Sequence, residues 1–480
     1  MNATSVSDPP DVERFVKTLG ADAAFFDRDE PAYVARAPGR LDVMGGIADY
    51  SGSLVLELPL ADATFVAAQR QRGRAVTVHT LRADDLNAQS TVTVPIDDLF
   101  PQGRPLDYHA ARRLLSAEPR TRWAAYVIGA LIVLAHDHDV RFDTGVRLLV
   151  DSTVPPSKGV ASSAALEVAS MQALCALHGI RITGRDLALA CQKVENLVVG
   201  APCGVMDQMT SACGEAGRLL ALECQPAELR GYVSLPPELE VWGIDSGIRH
   251  EVGGAEYGDV RVAAFMGYRI IASAAGMRAT PAGDGHVRIE DARWRGYLAN
   301  VTPSEWEREF RNAVPESMHG RDFLARFSGI TDATTRVDPA RTYAVRRATA
   351  HPIGENDRVR RYRELLERGA STDAERRAMG ELMYESHASY SACGLGSSGT
   401  DRLVELVRAA GEALYGAKIT GGGSGGVVAV LARRGSHALV SDIAARYAQE
   451  TGRAAGVLGG SSAGAMSFGV HKLHIEGSST

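Results

Sequence analysis

The sequence has no run of five or six basic residues, and its formal net charge is −6. Proteins that bind nucleic acids or anionic membrane surfaces usually carry such basic clusters. We therefore expect neither nucleic acid nor a membrane among the partners of this protein. The 480 residues, 45% of them hydrophobic, are enough for two or three globular domains.

Cysteine is also scarce: the chain has six, and no two of them form a Cys-x-x-Cys pair. Because most of them stand among apolar residues, the pattern predicts reduced thiols, not disulfides or a zinc site. The longest apolar run, residues 124–135, is shorter than the roughly 20 residues of a membrane-spanning helix. The N-terminus lacks the basic start and apolar core of a signal peptide. We therefore expect a cytoplasmic protein.

The order of apolar and polar residues predicts the α+β class, because runs of strands and runs of helices are segregated. Strand-like runs fill much of residues 33–95, and long charged helices are expected between about 254 and 410. Further strands are predicted at 145–152, 218–223, 239–246, 425–432 and 465–470. Further helices are predicted at 122–139, 160–178, 184–199, about 203–212 and 436–450.

A polar stretch with several prolines, residues 225–238, predicts a domain boundary near residue 235. We expect an N-terminal tail and lead-in (1–30), an α+β domain (31–235) and a second α+β domain (236–480). Within the second domain, the charged segment 277–350 is predicted to be a helical insertion. The sequence leaves open whether this insertion covers a site or mediates association.

The segment APGRLDVMGGIADYSG, residues 37–52, combines four glycines with Arg40, Asp42 and Asp49. Glycine permits positive φ and the close approach of backbone to another group. The segment therefore predicts a loop that contacts a ligand. It raises the question of why the apolar Ile47 stands among these charged residues.

Residues 151–170, DSTVPPSKGVASSAALEVAS, predict an anion site. A strand ends, a loop of Pro, Gly and Ser follows, and a helix of small residues begins at about Ala161. Such a turn directs free N–H groups and the positive end of the helix dipole at one point, which suits phosphate. The Walker A pattern is absent, and a capped core helix would show the same features.

The GGGSGG run within residues 418–432 is typical of a flexible linker or of a tight loop that touches a ligand. It stands between an apolar turn and a strand, inside a predicted domain, which favours the ligand loop. Two carboxylates flank another turn, GAPCG at 200–204: Glu195 lies near the end of one predicted helix and Asp207 in the first turns of the next. Most acids on helices are only solvated, but two beside a phosphate cradle predict catalysis or metal binding.

Together and in this order, the four segments resemble those of the GHMP superfamily of small-molecule kinases. Residues 39–50, GRLDVMGGIADY, are similar to the galactokinase signature G-R-x-N-x-x-G-E-H-x-D-Y. The resemblance extends over about residues 33–470 and implies a two-domain kinase with its active site between the domains. Further matches to the galactokinase branch lie at residues 122–129, 202–208, 245–257, 385–390 and 420–426.

The resemblance implies a kinase that uses ATP and Mg²⁺ to phosphorylate the anomeric hydroxyl of a sugar. Asp207 matches the catalytic aspartate that faces this hydroxyl, and Arg40 matches the arginine paired with it. Ser163 and Glu195 match magnesium ligands. ATP contacts are implied for Trp123, Pro155, Ser157, Gly159, Val160, Ala161, Ser162, Ser163 and Ala164, with Tyr126 as a second aromatic residue beside the adenine. Sugar contacts are implied for Gly46, Ile47, Asp49, Gly204, Tyr257 and Gly423.

The signature departs from the galactokinase pattern at three positions. Asp42 replaces Asn, and Gly46-Ile47 replaces a Glu-His pair that lies near the C6 hydroxymethyl group of galactose. Asp49, at the ring-hydroxyl end, is retained. These changes suit L-arabinopyranose, which has galactose-like ring hydroxyls and no hydroxymethyl group, and the segment resembles the kinase domain of L-arabinokinases. We therefore expect L-arabinose 1-phosphate as the product.

Two alternatives stay open. If Ile47 points into the core, the loop simply differs and carries no information on the sugar; the protein could then be a D-galactose kinase with an unusual loop. It could instead be a sensor that binds sugar and ATP without catalysis, although the presence of Ser163, Glu195, Asp207 and Arg40 argues against this. The assembly is expected to be a monomer or a homodimer.

Overall fold

The computed structural model describes residues 10–21, 23–249 and 255–475. Most of the predicted N-terminal tail and the middle of the 245–257 motif lie outside these residues. The lead-in before residue 31 includes a helix, Pro10–Ala21, whose Phe15 is buried and stacks on Phe65 with ring centroids 4.8 Å apart. The lead-in therefore packs on the sheet that follows it.

The strands of the described residues form one sheet of eight strands, one of four strands and two of two strands each. With the helices below, they confirm the α+β class. Their bounds are Ala32–Met44 (β1), Leu54–Gln71 (β2), Ala75–Thr80 (β3), Thr91–Pro95 (β4), Gly145–Ser152 (β5), Arg218–Glu223 (β6), Glu228–Ser234 (β7), Leu239–Asp245 (β8), Ala279–Gly283 (β9), His286–Ile289 (β10), Met318–His319 (β11), Thr342–Tyr343 (β12), Leu414–Ile419 (β13), Val427–Arg433 (β14), Val457–Leu458 (β15) and Val470–Leu473 (β16).

The α-helices include the predicted helices at 160–178 and 436–450 within two residues at each end. They are Pro10–Ala21 (α1), Ala83–Leu86 (α2), Ile96–Leu99 (α3), Tyr108–Leu115 (α4), Ala125–His138 (α5), Ser162–Leu177 (α6), Gly184–Lys193 (α7), Met206–Cys213 (α8), Ala255–Ala274 (α9), Pro303–Glu305 (α10), Gly320–Phe327 (α11), Val345–Glu367 (α12), Asp373–Ala392 (α13), Ser398–Ala409 (α14), His437–Thr451 (α15) and Ala465–Phe468 (α16). Two π-helical segments, Val194–Val199 and Trp306–Phe310, continue α7 and α10.

The eight-stranded sheet runs in the order β16–β1–β2–β5–β3–β4, with β6 beside β2 and β7 beside β6. Helices α5 and α6 pack in the main core with this sheet. Every residue of α5 from Val127 to Ala135 is buried, which explains why its sequence is apolar without a polar stripe. Among the residues that the structure describes, none of the helices is both long enough and apolar enough to cross a membrane.

The pairing of β1 with β2 is irregular around Arg40. The register shifts between Pro38 and Arg40 and again between Asp42 and Met44. The Arg40 N–H donates to the carbonyl of Val160 at 3.0 Å, in the loop before α6. Bulges commonly redirect side chains beside functional sites, and here the irregularity places β1 against the predicted phosphate loop.

The four-stranded sheet has the order β13–β14–β8–β15. The chain then returns to the first sheet, where β16 pairs with β1 so that Leu473 lies opposite Ala32. The end of the predicted second domain is therefore part of the sheet of the first. The strand predicted at 465–470 is wrong, because residues 465–468 form the short helix α16 and only Val470 belongs to a strand.

The predicted helical insertion, 277–350, is mixed in structure. It contains the hairpin β9–β10, the two-stranded sheet β11–β12 and only short helical segments before α12 begins. The prediction of a helical insertion is therefore wrong in its content. The reason is turn chemistry: Asp284 and Gly285 connect β9 to β10 with positive φ at both residues (50° and 75°), and an Asp-Gly pair favours such two-residue hairpin turns.

Candidate active site

A cavity of about 910 Å³ is lined by residues from both predicted domains. Asp49, Ser157 and Asp207 come from the first, and Tyr257 and Gly421 from the second. Small-molecule sites usually have volumes of about 300–1,000 Å³. The junction between the predicted domains therefore holds a space of the size that a sugar and a nucleotide need.

The loop before α6 forms a wall of this cavity. Ser157, Gly159 and Ala161 have positive φ (58°, 71° and 60°), and α6 begins at Ser162. Such a backbone lets successive N–H groups converge on an anion, and the helix terminus adds partial positive charge. The N-cap residue, Ala161, makes no side-chain hydrogen bond to α6. The first N–H groups of α6 are therefore left for a ligand, which supports a phosphate-binding role.

The glycine-rich loop at 420–426 packs against this phosphate loop backbone to backbone. A Cβ atom added to Gly421 would lie 2.5 Å from the carbonyl oxygen of Gly159, and one added to Gly426 would lie 2.3 Å from that of Lys158. Only glycine fits at such distances. Gly421 and Gly422 line the cavity, so the run is a packed loop and not a linker.

Asp207 lies in the first turn of α8 and faces the cavity with its side chain 21% exposed. Arg40 Nε and Nη2 lie 2.9 and 2.7 Å from Asp207 Oδ1. Arg40 Nη1 donates to the Gly159 carbonyl at 2.5 Å, and its Nε lies 3.3 Å from Glu57 Oε2. Burial alone would lower the pKa of Arg40, but the carboxylates of Asp207 and Glu57 raise it above its ordinary value. Arg40 thus connects Asp207 to the phosphate loop.

Glu195 lies in the π-helical segment that follows α7. The sequence predicts one regular helix at 184–199. Instead the N–H groups of Gly200 and Ala201 both donate to the Glu195 carbonyl, at 2.9 and 3.0 Å. π-helical turns are frequent at functional sites, and this one presents the Glu195 carboxylate to the cavity.

The oxygens of Glu195 and Ser163 fit a magnesium ion. The Ser163 hydroxyl and the Glu195 carboxylate both line the cavity. Burial and, after it, the charge of Asp207 raise the pKa of Glu195 to about 7. Mg²⁺ usually takes one or two protein oxygens and completes its shell with phosphate oxygens and water. A cation here would offset the cost of burying the ionised carboxylate.

Asp49, Gly204 and Tyr257 meet at another wall of the cavity. Asp49 is buried, and its Oδ1 atom accepts no hydrogen bond in the structure. Burial and, after it, the charge of Asp207 raise the pKa of Asp49, Arg261 lowers it, and together they place it at about 7. A buried carboxylate oxygen without a partner is costly, so this wall suits a ligand with hydroxyl groups. Ile47 lines the same cavity although its side chain is only 1% exposed.

Aromatic residues line a further part of the cavity. Trp123 and Tyr126 both face it, together with Thr80 and Leu86. The indole Nε1 of Trp123 donates to the carbonyl of Gln89 at 3.0 Å, which fixes the orientation of the ring. Flat apolar surfaces of this kind suit a nucleotide base.

Most of the residues that the resemblance implies line this one cavity, and four do not. Val160 and Ala164 are buried beside the phosphate loop, and Gly46 and Gly423 pack against Tyr390 and Leu395. Gly421 and Gly422 occupy the place expected for Gly423. The residues that do line the cavity are Arg40, Ile47, Asp49, Trp123, Tyr126, Pro155, Ser157, Gly159, Ala161, Ser162, Ser163, Glu195, Gly204, Asp207 and Tyr257.

Three supporting carboxyl or amide groups were not found by sequence reasoning. Glu57 lies behind Arg40, while Gln208 Nε2 donates to both Glu195 Oε2 (2.7 Å) and Glu167 Oε2 (3.1 Å). All three side chains are fully buried. For Glu57 the sequence does contain a signal: an acid within the apolar run LVLELPL indicates a buried carboxyl group that needs a partner.

The insertion 277–350 also contributes to the site. Arg336, Arg341 and Tyr343 line the cavity. Behind the cavity wall, Arg261 of α9 forms a two-pronged ion pair with Asp332 at 2.7 and 2.9 Å, and both side chains are at most 6% exposed. The Arg261 guanidinium lies 5.4 Å from the centre of the Tyr50 ring, next to Asp49. The insertion therefore holds a buried cation near the carboxylate of Asp49.

Gly204→Ala is expected to raise the KM for the sugar about tenfold or more. A Cβ atom at this position would lie 1.7 Å from Asp49 Oδ2, so the carboxylate must move, and small displacements of a binding group can cost about 10²-fold. Steady-state kinetics measure the effect, and ATP affinity should be unchanged. Gly456→Ala is the control, because no atom lies within 4 Å of its added Cβ and its φ is not positive. An unchanged KM in Gly204→Ala would contradict a role for Asp49 in sugar binding.

Comparison with known families matches three parts of the chain. The GHMP kinases N terminal domain matches residues 125–215, and the GHMP kinases C terminal domain matches residues 370–449. The galactokinase galactose-binding signature matches residues 23–70. Residues 125–215 include the phosphate loop, Glu195 and Asp207, and residues 370–449 include the glycine-rich loop at 420–426.

Individual proteins are similar over nearly the whole chain. An L-arabinokinase from Arabidopsis thaliana is 43% identical over 517 residues, covering 98% of this chain and 50% of that protein. The chain thus spans about half the length of this relative. A galactokinase from Chloroflexus aurantiacus is 31% identical over 426 residues, covering 88% of this chain and 90% of that protein.

Among solved structures, the crystal structure of Lactococcus lactis galactokinase complexed with galactose superposes with a TM-score of 0.70 at 19% identity. It covers 96% of this chain and 100% of that one. At this identity the superposition supports the shared fold alone.

Proposed function

The chain belongs to the GHMP kinases, with galactokinases among its full-length relatives, and from this membership we propose that it transfers the γ-phosphoryl group of ATP to the anomeric hydroxyl of a sugar. The observation that carries this proposal is the contact of Arg40 with both Asp207 and the phosphate loop. This contact puts a candidate base beside the position at which a nucleotide phosphate would bind.

The proposed reaction uses positioning and charge more than bonding to the protein. The Asp207 carboxylate accepts a hydrogen bond from the anomeric O–H and orients the oxygen toward the γ-phosphorus. As the new O–P bond forms and the bond to ADP breaks, the proton passes to Asp207. Arg40 holds Asp207 in place, and the N–H groups of α6 stabilise phosphate charge. A magnesium ion on Ser163 and Glu195 would supply further neutralisation of this charge.

We propose L-arabinose as the preferred sugar. Ile47 offers an apolar surface beside Asp49, and it leaves a C6 hydroxyl without a polar partner on this side. The 43% identity to an L-arabinokinase supports the same choice. We also propose a cytoplasmic location, which the six unpaired cysteines support.

An ADP-release assay over a panel of sugars tests this proposal. We expect kcat/KM to be higher for L-arabinose than for D-galactose by up to about 10²-fold, because an apolar wall rejects an extra hydroxyl only weakly. A higher kcat/KM for D-galactose would contradict the arabinose proposal and favour the galactokinase alternative, which the matched signature at 23–70 supports. Binding of sugar and ATP without ADP release would favour a non-catalytic sensor.

A further inference from the structure

Two buried side chains hold the loop that carries Gly46 and Ile47. Asp42 Oδ1 accepts the N–H of Gly46 at 3.0 Å. The hydroxyl of Tyr390, on α13, accepts the N–H of Ile47 at 2.7 Å and donates to the carbonyl of Gly421 at 3.2 Å. Tyr390 therefore connects the two loops that contribute Ile47 and Gly421 to the cavity.

Tyr390 also occupies the space that a side chain at position 46 would need. A Cβ atom added to Gly46 would lie 1.6 Å from the Tyr390 hydroxyl oxygen and 2.8 Å from its Cζ. Tyr390 cannot turn away easily, because it is fully buried and packs edge-on against His351 with ring centroids 5.0 Å apart. With Tyr390 in this place, only glycine fits at position 46.

A buried ion pair belongs to the same group of residues. Lys418 Nζ lies 2.5 Å from Asp42 Oδ2, and it sits 5.3 Å from the centre of the Tyr390 ring. The Cβ atom added to Gly46 would also lie 2.8 Å from Asp42 Oδ2. The unusual residues Asp42 and Gly46 are therefore accommodated by Lys418 and Tyr390, which come from the other half of the chain.

We propose that Tyr390 is a positioning residue that determines sugar specificity by fixing Ile47 against the cavity and by keeping a side chain out of position 46. Tyr390 is not among the residues that line the cavity, so it acts through Ile47. The inference rests on the proposed sugar-kinase function and extends it. It makes a residue outside the 37–52 segment responsible for the preference for L-arabinose, which lacks the hydroxymethyl group, over D-galactose, which has it.

The first test compares Tyr390→Phe with the unmodified protein on L-arabinose and on D-galactose. The change removes the acceptor of the Ile47 N–H and leaves the ring, so Ile47 gains freedom to move. We expect the ratio of kcat/KM values (L-arabinose over D-galactose) to fall about tenfold, the effect of leaving one buried donor without its partner. The KM for ATP should stay unchanged.

Tyr362→Phe is the matched control. Tyr362 is also fully buried, and its hydroxyl makes no hydrogen bond in the structure, so this change should leave the ratio unaltered. A ratio in Tyr390→Phe equal to that of the unmodified protein would overturn the proposal. Preference of the unmodified protein for D-galactose would instead contradict the arabinose proposal alone, since the change in ratio on mutation could still be measured.

The second test addresses the steric part. Gly46→Ala is introduced alone and together with Tyr390→Leu, and the thermal unfolding midpoint is measured for the four proteins of the cycle. Alanine at the positive φ of Gly46 (45°) adds the same backbone strain whether or not Tyr390 is replaced. We therefore expect Gly46→Ala to lower the midpoint more when Tyr390 is present. Equal lowering in both backgrounds would overturn the steric part of the proposal.

Discussion

Asp207→Asn is expected to lower kcat by about 10²–10⁴-fold, the usual contribution of a general base. The amide keeps the size of the carboxylate but cannot accept the sugar proton. Folding should be preserved, because Arg40 retains Glu57 and the Gly159 carbonyl as partners. Rapid-quench measurement of a single turnover reports the chemical step directly, and calorimetry with ATP should show unchanged binding.

Asp137→Asn is the matched control for this prediction. Asp137 forms an ion pair with Lys193 at the protein surface, so its replacement should leave kcat unchanged. If Asp207→Asn retained about a tenth of the original kcat, the loss would be too small for a general base. The assignment of Asp207 as the base would then be wrong, although its role in orienting the sugar could remain.

Lys418→Met is expected to lower the free energy of unfolding by about 3–5 kcal/mol, because removing one partner of a buried ion pair leaves a buried charge unbalanced. Lys418 and Asp42 are both fully buried. Asp42 lies directly opposite Glu57 in the pairing of β1 with β2. Burial raises the pKa of Glu57 well above its ordinary value, and Asp42 raises it further. Lys418 is the cation in direct contact with Asp42, so it balances the charge of this buried carboxylate.

Urea unfolding monitored by circular dichroism measures the change. Lys193→Met is the control, because Lys193 and Asp137 form a pair of similar length (2.7 Å) with side chains 47% and 25% exposed. Exposed pairs contribute at most about 1 kcal/mol. Adding Asp42→Asn to Lys418→Met should restore most of the lost stability, because Asn removes the charge and can still accept the Gly46 N–H. Equal losses in Lys193→Met and Lys418→Met would contradict this account.

The insertion 277–350 shows how far sequence reasoning reached in the second half of the chain. Its charge marked it as a separate segment, but it did not reveal the paired strands of this segment or its contact with the site. Asp332 and Arg261 are 71 residues apart, and each resembles an ordinary surface residue in the sequence. Only the packing of the insertion against α9 makes them a buried pair beside Asp49.

The secondary structure of the first half was predictable where one physical signal dominated. The apolar runs of α5 and β5 and the Thr183 cap of α7 depend on neighbours a few residues apart. The π turn at Glu195 was not predictable in this way. The hydrogen bonds of a π turn span one residue more than those of an α-helix, and the hydrophobic pattern of the two is nearly the same.

The sequence by itself was enough to predict the chemistry that we propose: a loop for phosphate, the carboxylates of Asp207 and Glu195, and a signature segment with Gly46 and Ile47. These signals are local, since each rests on residue types within one turn or loop. Tertiary structure alone decided which of these residues face the cavity and what holds them there. Ile47 and Tyr390 are 343 residues apart, and Asp42 and Lys418 are 376 residues apart. Contacts of that kind depend on how two sheets pack together, and no local pattern of residues records them.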